Sequence, residues 1–468
     1  MDLEALALAY VSNSDVIKFF ESLGVSLDVF YSLLWRHVFT VELLKKKFQL
    51  TQNNHSRLID RLRQIFDRDK RKELAVNYLQ EWGNHFWEET EYRVKEFVRK
   101  LEDSLSATVD ANGGAIKLNA SAAEKLSDEV KGEVINRAQK VVNEVQIKDL
   151  GKVIDLLADD LFSDTHSPFY ITIDKLDEAW ATDRIKYKLI RALLETVRSF
   201  QRIPAVKIIV SLRVDLLERV FIQTRDSGFQ EEKYESLYLF LRWSGNQLKQ
   251  LLESRLGQLY REQYTTKPVG FDDIFPNKVN GQNAFDYMSD RTFNRPRDII
   301  LFVNCCLDLA EGKSSVPAAV VKEAEAEYSR KRLRSLADEW IADYPHLFAA
   351  SGLLSGRTSK VKVGDITYEQ LEAFTLDICM SQNLDNPLYK MASEVTSGKS
   401  ITQAVLLPLI KTFYNVGMIG VKPEAFNEVQ WSFKEKASIP DAQLEKSTTL
   451  HIHPMIWRAL GINLVTST

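Results

Sequence analysis

An α/β fold is predicted: an incomplete parallel sheet with a large helical insertion, a helical lid and a C-terminal winged helix. Three observations predict it. Tyr170-Ile171-Thr172-Ile173 is a strand-like run that enters a carboxylate, Asp174. Ala205-Val206-Lys207-Ile208-Ile209-Val210-Ser211-Leu212-Arg213 is a second such run, and Ile185 to Phe200 between them has helical spacing at Ile185, Leu189, Leu193 and Val197. Strand, helix, strand is the pattern of a parallel sheet. Near the C-terminus, helical stretches at about 366–380 and 401–416 precede two short alternating runs, Gln430-Trp431-Ser432-Phe433 and Leu450-His451-Ile452-His453. That order suggests a small helix-turn-helix variant with a wing.

In chain order, Met1 to Tyr10 fits a strand or a short helix equally well. Asn13-Ser14-Asp15 caps a helix through Val16, Ile17, Phe19 and Phe20, which stops at Gly24. Leu27 to Phe48 is a second, strongly apolar helix. Residues 54–104 continue as amphipathic helices, with an aromatic stripe at Trp82, Phe86 and Trp87. Residues 107–119 read as a β-hairpin turning at Asn112-Gly113-Gly114, and a charged helix follows over 121–146. A helix over 150–162 ends before Ser167-Pro168, and residues 216–262 are helical. Gly281 to Tyr287 is a polar loop entering a helix. Pro296 opens the apolar helix that runs over 299–310, and 320–340 is a charged helix. The expected domains are 1–49, part of the sheet core; 50–148, the insertion; 149–262, the core with both strands; 263–340, the lid; and 341–468, the winged-helix-like domain.

Bulk properties narrow the function classes. The chain has 468 residues, a formal net charge of −4, 45% hydrophobic and 27% charged residues, and so reads as globular. The overall charge predicts no nucleic-acid or membrane partner, although a local basic face remains open. Arg330-Lys331-Arg332 with Arg334 is the most basic run; it is either a solvated face or a contact for a DNA backbone. Three cysteines, Cys305, Cys306 and Cys379, make no disulfide framework or metal spacing, which fits a reducing cytoplasm. No apolar run reaches the length of a membrane span, and no basic leader opens the chain. His451 and His453 share one strand face; they are a metal pair lacking a third ligand, or structural.

The chemistry is concentrated at Asp174-Lys175-Leu176-Asp177-Glu178. Mg²⁺ on a triphosphate takes oxygen ligands and keeps several waters, so one or two carboxylates suffice to hold it. Asp174 at a strand end suits that role, and Asp177 or Glu178 is placed to polarise a water. Arg213 ends the adjacent strand, where ligands of parallel sheets bind. It is either a γ-phosphate sensor or a structural partner of Asp177 or Asp215. Arg297, at the mouth of a lid helix, could reach a nucleotide; the alternative is a helix-end charge balanced by Asp298. The phosphate loop that such a site needs, G-x-x-x-x-G-K-[ST], is absent. Gly312-Lys313-Ser314 and Gly398-Lys399-Ser400 lack its first glycine and follow no strand.

Ile171 to Glu178 resembles the Walker B motif of STAND and NACHT-type ATPases, where a strand ends in D-G-L-D-E; here Lys175 replaces the glycine. Ile208 to Arg213 resembles their sensor-1 strand, and Asn294-Arg295-Pro296-Arg297-Asp298 is similar to the lid segment of AAA+ and origin-recognition-type relatives. The resemblance implies an incomplete P-loop NTPase core. It implies ATP and Mg²⁺ as cofactors, with Asp174 ordering the metal, Glu178 or Asp177 orienting water, and Arg213 and Arg297 reading the phosphates. It further implies a nucleotide-dependent switch, in bacteria often serving anti-phage defence or signalling, with self-association through the core. On this reading the chain is a truncated product, a fragment or one with a mis-assigned start. The alternatives are a winged-helix DNA-binding module and a non-catalytic scaffold with an unidentified protein partner.

Overall fold

The computed structural model describes residues 14–48, 128–144, 154–178, 183–225, 232–263, 267–341, 343–380, 387–422, 426–434, 439–446 and 449–463, with a few isolated positions besides. The N-terminal stretch 1–10, read as a strand or a short helix, the aromatic stripe at 82–87 and the hairpin at 107–119 lie outside the described residues. The fold is mixed α/β and mostly helical, with small sheets. It divides into two units, Met1–Tyr238 and Leu239–Thr468. Among the described residues no helix is long and apolar enough to cross a membrane.

The first unit begins with helix α1 (Asp15–Ser22). Ser14 caps it, its Oγ accepting from the Ile17 N–H at 3.4 Å, and Gly24 ends it at φ 78°. Helix α2 (Asp28–Phe48) follows, then α3 (Asp128–Glu144). The expected helix over 150–162 closes as a π-helical turn, Leu157–Leu161. Strand β1 (Phe169–Ile173), helix α4 (Asp183–Phe200), strand β2 (Val206–Val210) and helix α5 (Val214–Gln223) follow, with one further helical turn at Glu232–Glu235.

The two strands pair in parallel, in register from Phe169 opposite Val206 to Ile173 opposite Val210. Helix α4 is the crossover that such pairing requires. Its apolar stripe packs on α2, where Trp35 Nε1 donates to the Leu189 carbonyl at 2.8 Å and Phe39 meets Phe200 edge-on at 5.4 Å. Ile171, Ile173 and Val206 turn inward to this core. The opposite sheet face, with Tyr170, Thr172, Lys207 and Ile209, is exposed.

The second unit starts earlier than expected. Helix α6 (Gly245–Gln263), assigned above to the sheet core, buries Leu248, Leu252 and Leu256 in the second unit's core instead. The stretch 281–287, expected as a polar loop, instead closes a small hairpin, β3 (Lys278–Val279) and β4 (Gln282–Asn283), and is helical from Ala284 onward. Asn280 (φ 50°) and Gly281 (φ 81°) take the two left-handed positions of its turn. An Asn-Gly pair is the sequence signal for that turn. Helices α7 (Ala284–Ser289), α8 (Pro296–Leu309) and α9 (Ala318–Glu339) then pack together.

Charges inside this helical layer are paired. Arg291 Nε donates to Glu325 at 2.8 Å, Tyr287 hydroxyl also bonds Glu325, and Tyr328 hydroxyl donates to the Arg291 carbonyl at 2.7 Å. Arg332, almost fully buried, lies 3.2 Å from Asp298. Breaking a buried pair of this kind by removing one partner typically costs ~3–5 kcal/mol. This corrects the reading of the Arg330–Arg334 run. Arg332 faces the core, Lys331 pairs with Glu327 at 2.6 Å, and Arg330 and Arg334 are exposed, Arg330 acting on Glu327 as well. Asp298 serves Arg332 and the Phe293 N–H (3.0 Å) rather than balancing Arg297.

The expected lid and C-terminal domains share one core. Ser329 Oγ on α9 accepts from the Ala459 N–H at 3.0 Å. Strand β5 (Lys360–Lys362), helices α10 (Tyr368–Cys379), α11 (Pro387–Thr396) and α12 (Leu406–Asn415), and strands β6 (Ile419–Val421) and β7 (Thr449–Ile452) follow. The sheet order is β5-β7-β6, antiparallel throughout. The run 430–433 is not a strand: Gln430 alone bridges to Val421, and the chain then turns. The strand partner of β7 is Ile419–Val421, where the sequence hides the pattern because all three residues are buried. Gly420 is needed there, since a Cβ would meet Val429 and lie 2.8 Å from the Trp431 indole.

His453 is a core residue. Phe293 and Trp431 rings stand 4.9 Å away and Phe433 5.3 Å, and Nδ1 accepts from the Met455 N–H at 3.1 Å. Burial, with Lys434 and Arg291 adding repulsion, pushes its pKa down to about 3. The unfolded imidazole titrates near 6.5, so the stabilisation is complete above that pH and is lost as pH falls toward 3. The stability of the second unit to urea should therefore fall as the pH drops from 6.5 to about 4, and His453→Gln should flatten that slope. Identical slopes in the two proteins would contradict the assignment.

Candidate functional site

Strand β1 delivers three carboxylates to one turn. Its ladder extends one bond past the paired register, with the Ser211 N–H donating to the Ile173 carbonyl at 2.8 Å. Asp174 therefore emerges beside Ser211, at the carboxyl end of both strands. Its Oδ1 accepts from the Lys175 N–H at 2.9 Å. The chain then reverses in a hydrogen-bonded turn, Glu178 N–H donating to the Lys175 carbonyl at 3.2 Å. Leu176 is buried and anchors the turn, while Asp174, Asp177 and Glu178 are exposed.

Lys175 has φ 64°, the left-handed region. A Cβ there costs roughly 1–2 kcal/mol, which glycine escapes. The position at which the resembled motif carries glycine is thus a position whose backbone favours glycine. Lys175 Nζ lies 3.5 Å from Glu178 across the turn.

Arg213 stands at the same edge, on the residue before α5. Its Nε and Nη2 donate to the two carboxylate oxygens of Asp215 at 2.9 and 3.1 Å, and Nη1 is 3.9 Å from Asp177. Asp215 also accepts from Arg219 at 2.9 Å. Both structural partners weighed for Arg213 in the sequence are thus in contact with it, Asp215 far more closely. The structure brings Asp174, Asp177, Glu178 and Arg213 together in the first unit. Arg297 is an exposed residue at the start of α8 in the second.

Among the described residues, no three His, Cys, Asp or Glu side chains converge as a ready-made metal cage. The carboxylate turn fits a cation that arrives with most of its ligands, as Mg²⁺ does on a triphosphate, and does not fit a bare ion. The Gly-Lys-Ser triplets do not complete such a site. Gly312 and Gly398, at φ 78° and 74°, end helices: Lys313 N–H donates to the Ala310 carbonyl, and Lys399 N–H to the Glu394 carbonyl. Their amides cap helix carbonyls and leave no phosphate cradle. Cys305 and Cys306 are buried in α8, where burial raises both thiols.

Residues 246–337 match a family described as a FunZ-associated C-terminal helical domain. The match runs from α6 to the last turn of α9, the helical layer that holds both buried ion pairs. No curated protein matches the chain, and no solved structure does.

The strain at Lys175 yields a stability test. Lys175→Gly should hold or gain stability by up to about 1 kcal/mol, whereas Lys175→Val should lose roughly 1–2 kcal/mol in urea unfolding. A loss on Lys175→Gly similar to that on Lys175→Val would contradict the left-handed turn.

Proposed function

We propose that the first unit is the Walker B and sensor-1 portion of a STAND/AAA+-like P-loop ATPase, a nucleotide-dependent switch. One observation carries this reading: the parallel register of β1 and β2 sets Asp174, Asp177, Glu178 and Arg213 at a single carboxyl edge. The left-handed backbone at Lys175 supports it independently.

Mg²⁺·ATP, when bound, supplies a transferable γ-phosphoryl group. Asp174, first after the strand, suits the metal shell. Glu178, with Asp177 beside it, suits the orientation of a water. Each carboxylate is exposed, so its attraction for a cation is weakened by solvent and salt. Arg213 is already engaged by Asp215, so a phosphate must compete with that carboxylate to draw the guanidinium over. The exchange makes Arg213 a reader of phosphate charge rather than a passive cation. Arg297 fits the lid role only through the second unit.

The finer fold reading is a P-loop core followed by a lid and a winged helix. The β5-β7-β6 order, with helices α10 to α12 between the first strand and the hairpin, supports the winged helix. Its helix α12 leaves Lys411 as the one exposed residue among the described ones of that helix, and Asp441 pairs with it at 2.8 Å. This favours a protein-facing module over a DNA reader.

The test is Mn²⁺·ATP binding, followed by electron paramagnetic resonance at millimolar nucleotide. The wild-type chain should bind the complex weakly, with Kd on the order of 1 mM, and Mn²⁺ alone more weakly still. Asp174→Ala should lose at least about tenfold. No wild-type binding, or equal binding by Asp174→Ala, would overturn the proposal.

A further inference from the structure

We propose that Asp215 and Arg219 work as a latch on Arg213: Asp215 restrains the guanidinium, and Arg219 takes over that carboxylate when a phosphate draws Arg213 away. The inference deepens the ATPase reading and rests on it for the identity of the phosphate. Three contacts carry it. Arg213 grips Asp215 with two donors, Nε to Oδ1 at 2.9 Å and Nη2 to Oδ2 at 3.1 Å. Arg219 Nη2 donates to the same Oδ2 at 2.9 Å. Arg213 Nη1 lies 3.9 Å from Asp177 Oδ2, on the carboxylate turn. One guanidinium thus spans the latch and the turn.

The backbone separates the fixed members from the moving one. Asp215 and Arg219 stand one turn apart on α5, whereas Arg213 precedes the helix on extended backbone, φ −74° and ψ 143°. The Asp215 side chain is the most enclosed of the three, 19% exposed against 28% for Arg219 and 34% for Arg213. A carboxylate that water reaches incompletely resists the loss of its cation. Arg219 lowers that resistance, because it is already bonded to Asp215 and stays when Arg213 leaves. An acid in the first turn of a helix, paired four residues on with an arginine, is favourable by itself. That accounts for Asp215 with Arg219, but not for the two-donor hold on a strand-end arginine. Arginine grips carboxylate and phosphate with the same fork, so a phosphate can replace Asp215 donor for donor. Asp215 then sets how strongly the phosphate must pull, and Arg219 sets how easily the carboxylate lets go. Both are positioning residues that act through Arg213.

The test is the Mn²⁺·ATP affinity of the full chain and its variants, read by electron paramagnetic resonance, with far-ultraviolet circular dichroism to check that each variant is folded. Asp215→Asn should tighten binding at least about threefold, and the gain should vanish in an Arg213→Gln background. Arg219→Gln should weaken binding at least about threefold, and the loss should vanish in an Asp215→Asn background. Arg219→Lys, which keeps the charge, should recover part of that loss and serves in place of Arg219→Gln if the latter does not fold. Effects that persist unchanged in both backgrounds reflect net charge alone and would overturn the latch. An Asp215→Asn chain that binds no tighter than wild type, while Asp174→Ala still weakens binding, overturns the latch and leaves the ATPase reading standing. Absence of binding by wild type and Asp215→Asn alike overturns both.

Discussion

The parallel pairing of Phe169–Ile173 with Val206–Val210 fixes where every charge of the candidate site stands. A shift of one residue would send Ile171 and Ile173 to the exposed face and Tyr170 and Thr172 into the core. The apolar stripe of α4 therefore sets the register, and the register sets Asp174 beside Ser211 and near Arg213. The chemistry at the edge depends on packing beneath it. Trp35 and Phe39 of α2, pressed on α4, help to hold those charges in place in this indirect sense.

The second unit uses a different logic. Its helical layer buries two acid–base pairs, Arg291 with Glu325 and Arg332 with Asp298, at a desolvation cost that only close partners offset. Those pairs fix how α8 and the turn before it meet α9, within the matched residues. They also remove Arg332 from the surface, where it had looked available to a DNA backbone.

Much of this was legible in the sequence where one periodicity dominated. Ser14 and Gly24 bounded α1, helix α4 lay between its two strands, and β7 began one residue before its alternating run. The misses have specific causes. Ile419-Gly420-Val421 is buried on both faces, so no alternation marks it, while Trp431 and Phe433 imitate a strand because they pack around His453. Asn280-Gly281 was a clear turn signal at the start of the stretch Gly281 to Tyr287, which read as polar loop. At the site, the carboxylates and Arg213 were visible as strand ends. The hold of Asp215 on Arg213 was visible only as an alternative, because sequence spacing cannot rank two nearby acids. The burial of Arg332 was invisible, since a basic run gives no sign of which member faces the core.

On the proposed function, a metal-bound triphosphate meets this chain at the carboxyl edge of β1 and β2. Paramagnetic broadening of backbone amide signals by Mn²⁺·ATP tests it most directly. Broadening should centre on Asp174 to Glu178 and on Ser211 to Arg213, and should spare Gly312 to Ser314 and Gly398 to Ser400. Broadening centred on either glycine triplet, or spread evenly over exposed acidic residues, would contradict the account.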